Sequence, residues 1–159
     1  MYLRFFEQRV QSFSMGDCGD SKGAIACVIQ AKDPTKIWLT ELYLTHRAEP
    51  IERIAILLHE ARHTEDGMHH VACPDSFDDG GGHGILSIVG SRAFAGDMAC
   101  DDKPLGSYGV ETIFLRNIER ACVSCSRRVR DTAGTGALDS YIRIIDPSAR
   151  KTLYTDLFQ

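Results

Sequence analysis

At 159 residues, 43% of them apolar and 25% charged, the chain has the length of one domain and the make-up of an ordinary globular protein with a real core. A net charge of −4 and a pI of 5.8 argue against a nucleic-acid-binding surface, and no apolar run is long enough to span a membrane. Six cysteines, an even number, point to disulfides and an oxidising compartment.

In chain order, residues 1–10 read as either a short strand or a turn of helix. MYLRFFEQRV has no apolar h-region, so an extracytoplasmic (periplasmic or secreted) protein is expected to have its targeting segment outside this chain. Turn residues dominate Gln11 to Gly23, and Cys18 and Cys27 bracket a segment rich in Gly, Asp and Ser, as a hairpin staple would. Ala24 to Gln30 (AIACVIQ) reads as a strand, ended by Asp33-Pro34. Lys36 to His46 (KIWLTELYLTH), rich in β-branched and aromatic residues, reads as strand mixed with helix, with His46 a structural or solvated residue at its end.

The informative stretch runs from Pro50 to Cys73 (PIERIAILLHEARHTEDGMHHVAC). Pro50 suits a first helical turn, where its missing N–H is not needed. Ile51, Ile54, Ala55, Ile56, Leu57 and Leu58 are apolar on nearly all sides, as in a helix crossing a domain, and Gly67 is the natural stop. His59-Glu60-Ala61-Arg62-His63 reads H-E-x-x-H. On a helix His59 and His63 lie one turn apart on one face, where two imidazoles hold one zinc ion. Glu60, one step round, reaches a water on that ion. A purely structural site has no use for that glutamate, whereas a hydrolytic site does. The competing account is a chance meeting of polar residues on a buried helix, which burial makes costly.

These residues resemble the zincin class of metallopeptidases, particularly its metzincin branch, whose longer motif is H-E-x-x-H-x-x-G-x-x-H. Counted from the first histidine, the third ligand is His69, but Asp66 stands in the glycine position; counted from Gly67, it is His70. One residue turns a helix by about 100°, so the two counts name different ligands. The phrase is also similar to small bacterial extracytoplasmic domains of unassigned function that carry HEARH, DG and a later GH-x-x-C. In that pattern the histidine three before Cys73 is His70. The resemblance spans Pro50 to about Cys125. It implies a compact zincin-like α+β domain with a central active-site helix, and a strand edge near that helix that binds extended substrate backbone.

Beyond the helix, Pro74 to Gly84 (PDSFDDGGGHG) reads as an acidic loop. The alternative is a calcium site of Asp75, Asp78, Asp79 and the glycines, but their spacing matches no EF-hand, and His83 is a candidate neighbour of the metal or substrate. Ile85 to Ala99 is expected to be helical in part. Met98 lies near where metzincins carry the methionine of their turn, but core packing is the better account of it. Ser107 to Cys122 reads as a second long helix with Val110, Ile113, Phe114, Asn117, Ile118 and Ala121 on one face. Glu111 is the third ligand that a gluzincin-like arrangement would choose, and Tyr108 is either an oxyanion-steadying phenol or a core or cap residue. Arg127-Arg128-Val129-Arg130 reads as a solvated turn, Ala133 to Gly136 (AGTG) as a loop, and Tyr141 to Ile145 with Lys151 to Thr155 as a terminal hairpin about Asp146-Pro147-Ser148. The expected disulfides are 18–27, 73–100 and 122–125; the alternatives are reduced thiols or a second metal at Cys122 and Cys125.

The expectation is one α+β domain, with a second long helix and short strands, over residues 1–159. It is expected to act as a zinc-dependent hydrolase, a small metallopeptidase on peptide or protein substrates. Its ligands are His59, His63 and His70 or His69, its general base is Glu60, and Tyr108 is an accessory catalytic group. The rival is a disulfide-stapled binding module that keeps a zinc site without turnover.

Overall fold

A computed structural model describes residues 1–19, 23–45, 48–74 and 94–158, and its architecture is α+β. By its internal contacts the chain divides into two units, Met1–Met68 and His69–Gln159. The acidic segment with Asp75, Asp78, Asp79 and His83, most of the stretch expected to be helical after it, and His46 lie outside the described residues.

In the first unit, α1 (Tyr2–Glu7) leads into a three-stranded sheet of β1 (Ser12–Met15), β2 (Ala26–Val28) and β3 (Lys36–Leu39), followed by α2 (Glu41–Thr45) and α3 (Pro50–His63). The central strand is β3, parallel to β1 and antiparallel to β2, with Cys27 opposite Trp38. The stretch from Lys36 thus splits, strand to Leu39 and helix from Glu41, as its mixed composition foretells. Helix α3 starts where the sequence says. Pro50 opens it, and Glu49 and Glu52 form a capping box in which the Glu49 N–H donates to Glu52 Oε2 at 2.6 Å. Ala61 packs with Val10, Ala26 and Ile37, and Phe5, Phe6, Ile56 and Leu57 close around them. Ile54 is exposed, so α3 has one open face and is not enclosed on all sides.

In the second unit, β4 (Val71–Ala72) pairs antiparallel with β5 (Met98–Cys100), and α4 (Ser107–Ala121), α5 (Arg127–Tyr141) and α6 (Pro147–Phe158) follow. Met98 lies in strand β5 and is 65% exposed, which corrects both the core and the turn expected of it. On α4 the buried residues are Ser107, Tyr108, Gly109, Thr112, Phe114 and Leu115, while Asn117 is exposed; the apolar face is rotated from the expected one, because small and aromatic residues seat the helix.

Three further expectations are corrected. Arg127–Arg130 forms the first turn of α5, capped by Ser126, whose Oγ accepts from the Val129 N–H at 3.3 Å. The AGTG segment is helical, and its glycines provide room: a Cβ at Gly134 would lie 2.7 Å from the Glu119 carboxyl, and one at Gly136 would lie 3.1 Å from Leu115 Cδ1. Close packing of α5 on α4 requires that small seam. The terminal hairpin is instead α6. Asp146 Oδ1 accepts from the Ala149 N–H at 2.7 Å, so Asp-Pro-Ser is a capped helix start, and Ala149, Leu153 and Leu157 repeat every four residues against Tyr108 and Ile144.

All three expected disulfides are present, and no cysteine is free. This set is compatible with an oxidising compartment. No helix among the described residues is long and apolar enough to cross a membrane.

Candidate metal centre

Helical spacing puts His59 and His63 on one face of α3. His59 is 8% exposed, and its Nε2 faces that of His63 at 3.2 Å, with the ring planes at 69°. Two nitrogens bound tetrahedrally to one zinc at ordinary bond lengths stand about 3.3 Å apart. The pair therefore already has the spacing of a chelate. The Nδ1 of His63 contacts the Met68 carbonyl oxygen. A carbonyl only accepts, so this Nδ1 carries the proton and the neutral ring has its lone pair on Nε2, the nitrogen that faces His59.

The turn that supplies that carbonyl is braced. The Thr64 hydroxyl donates to the Ala61 carbonyl at 2.9 Å, and Gln30 donates to the His63 carbonyl. These contacts end α3 at His63, and Gly67 serves the following turn at φ 71°. Glu65 receives Arg9 Nε at 2.6 Å and Arg62 Nη1 at 2.5 Å. Partial burial pushes its carboxyl up, but the Arg9 hydrogen bond and the Arg62 charge outweigh burial and hold it below the usual range. Glu60, next to His59, is 6% exposed and so is a buried carboxylate beside the histidine pair.

In the second unit, His70 has its Nδ1 2.9 Å from Asp101 Oδ1, and its ring stacks on Tyr108 with centroids 4.7 Å apart. Asp101 is 3% exposed. Tyr108 is buried, and its hydroxyl accepts from Arg143 Nη1 at 2.7 Å. Burial, against the pull of Arg143, pushes the phenol up to about 12, so it stays protonated at ordinary pH. The Arg143 guanidinium lies over the rings of Phe94 and Tyr108 and pairs with Asp139 at 2.6 Å. Glu111 belongs to the same neighbourhood: burial raises its carboxyl to about 7, opposed by Arg143 and a Ser140 hydrogen bond.

Of the residues singled out from the sequence, His59, Glu60 and His63 stand together in the first unit, and His70 and Tyr108 stand together in the second. His69 is exposed. Sequence reasoning missed Asp101 and Arg143. A signal for Asp101 existed: it follows Cys100, whose disulfide partner Cys73 lies three residues after His70. Arg143 had none, because it sits in a stretch read as strand. Compared with protein-family models, with curated proteins and with solved structures, the chain matches none.

Proposed function

We propose that the chain is a zinc-dependent hydrolase, a small peptidase, in which His59, His63 and His70 hold one metal ion. The observation that carries this reading is the pair of Nε2 atoms on α3, 3.2 Å apart, with the His63 lone pair turned towards His59. The G-x-x-H offset counted from Gly67 supports His70 as third ligand. Its Nδ1 is engaged by Asp101, which leaves Nε2 for a metal. Three nitrogen donors suit zinc and leave a position open, the pattern of a catalytic site.

Bound there, zinc would polarise a carbonyl and acidify water. Glu60 is the chain's own group for moving the proton: its carboxylate would take it from water and return it to the leaving amine. Tyr108, whose hydroxyl is held by Arg143, serves by packing against His70. The disulfides suit an extracytoplasmic setting, where unfolded proteins and peptides are available substrates.

The test starts with metal analysis of the purified chain, which should hold about one zinc or regain it after chelation. A peptide-library digest then supplies a substrate. Glu60→Gln should keep zinc and fold and lose about 10²–10⁴-fold in rate, whereas His63→Ala should lose both zinc and activity. A chain that takes up no zinc refutes the site. A zinc-loaded chain that cuts nothing, or Glu60→Gln cutting at the wild-type rate, refutes the peptidase and leaves a metal-keeping binding module.

A further inference from the structure

We infer that Asp101 is the positioning residue of the third ligand: its carboxylate fixes His70 as the Nδ1–H tautomer and thereby assigns Nε2 as the metal-binding nitrogen. The consequence for metal rests on the reading above, but the geometry is that of the second unit alone. Asp101 Oδ1 is 2.9 Å from His70 Nδ1, and an ionised carboxylate only accepts, so the proton of that bond belongs to the imidazole.

The carboxylate is not at liberty to turn away. Its other oxygen, Oδ2, accepts from the Tyr108 N–H at 2.7 Å, one of the donors that the first turn of α4 leaves without a helical partner. The positive end of that helix favours the ionised acid. The backbone of Asp101 is pinned as well, since its N–H donates to the Arg143 carbonyl at 2.9 Å and its carbonyl accepts from the Ile145 N–H at 2.8 Å. The Tyr108 ring stacks on a face of the imidazole.

Gly106 shows that this space is kept for the carboxylate. A Cβ there would lie 2.3 Å from Asp101 Oδ2 and 2.6 Å from its Cγ. The glycine's own backbone, φ −65° and ψ −173°, is open to any residue, so room and not conformation demands it. One carboxylate thus does two things, capping α4 and orienting His70, and a glycine leaves it the volume. A carboxylate behind a ligating histidine also raises the basicity of the nitrogen turned to the metal.

The tautomer is measured directly in the metal-free full chain, by long-range ¹H–¹⁵N correlation at a pH where the ring is neutral, with His70→Gln to assign the signals. A proton on Nδ1 is expected. A proton on Nε2 overturns the inference, whether or not the chain binds metal and whether or not any variant folds. Asp101→Asn and Gly106→Ala are then titrated with Zn²⁺ against a chromogenic chelator, with circular dichroism of the metal-free proteins alongside. The asparagine can satisfy the Tyr108 N–H or the His70 N–H but not both, and the alanine displaces the carboxylate without changing its charge. Both should bind zinc about 10–100-fold more weakly than wild type. Wild-type affinity in either variant overturns the inference while the metal reading stands. If wild type itself binds no zinc, the metal reading falls, and the tautomer alone decides this one.

Discussion

Breaking the Cys73–Cys100 bridge should cost far more than breaking Cys122–Cys125, and the size of the gap follows from the structure. The two bridges close loops of sequence separation 27 and 3. Loop-closure entropy then gives about 3.5 kcal/mol for the long loop and about 1.6 kcal/mol for the short one at 25 °C. Packing widens the difference. Cys73 and Cys100 are fully buried against Phe94, so replacing both by alanine removes two sulfurs from a core, on the order of 1 kcal/mol each. Cys122 and Cys125 are only partly buried and lose little of this kind. The expected gap between Cys73→Ala/Cys100→Ala and Cys122→Ala/Cys125→Ala is therefore about 4 kcal/mol. Urea unfolding followed by far-UV circular dichroism reads the second unit well, since α4, α5 and α6 all lie in it. The long-loop variant should also bind zinc more weakly, because the register of Val71 opposite Cys100 is what brings His70 beside Asp101. Equal losses in the two variants would refute the entropy and packing argument together.

Two further outcomes separate the assignments. His70→Ala should abolish zinc binding while His69→Ala, altering an exposed ring, leaves it intact; the reverse result in a chelator competition would hand the third ligand to His69. The Glu111 carboxyl, raised from 4.5 to about 7 by burial, keeps in the folded chain a proton that the unfolded chain has already released. Between those two values the folded state binds more protons, so stability falls as pH rises, by up to about 3 kcal/mol. Urea melts of the metal-free chain from pH 4 to 8 should show that slope in wild type and lose it in Glu111→Gln, and an unchanged slope would show that Glu111 is not its source.

How much of the fold was legible depended on whether the deciding signal was local. Pro50, the Glu49–Glu52 box and the apolar run fix α3 without help from the rest of the chain, and cysteines that bracket single turns or loops named all three bridges. The stretch after α4 failed for the opposite reason. Glycines at 134 and 136 argue for a loop on propensity, since each costs a helix interior about 1 kcal/mol. Yet the cost is accepted because Glu119 and Leu115 of α4 occupy the volume that side chains would need. Likewise KTLYT alternates like a strand, and only the capped start at Asp146 and the wider spacing of Ala149, Leu153 and Leu157 reveal its helical period.

The candidate site divides along the same line. His59, Glu60 and His63 are set by one helix, so five consecutive letters suffice to group them. The choice between His69 and His70 cannot be made by counting, because the displaced glycine lets each count keep only part of the motif. What distinguishes the two rings is a partner 31 residues away: Asp101 takes the Nδ1 of His70, whereas His69 faces solvent. That partner is brought to His70 by strand register and a disulfide, neither of which has a spacing rule. A pairing of Cys73 with Cys100 nevertheless implies that residues just before the first and just after the second are neighbours. Applied to a sequence, the inference runs from the staple to the residues flanking it, and here it leads from a histidine to its carboxylate without any motif.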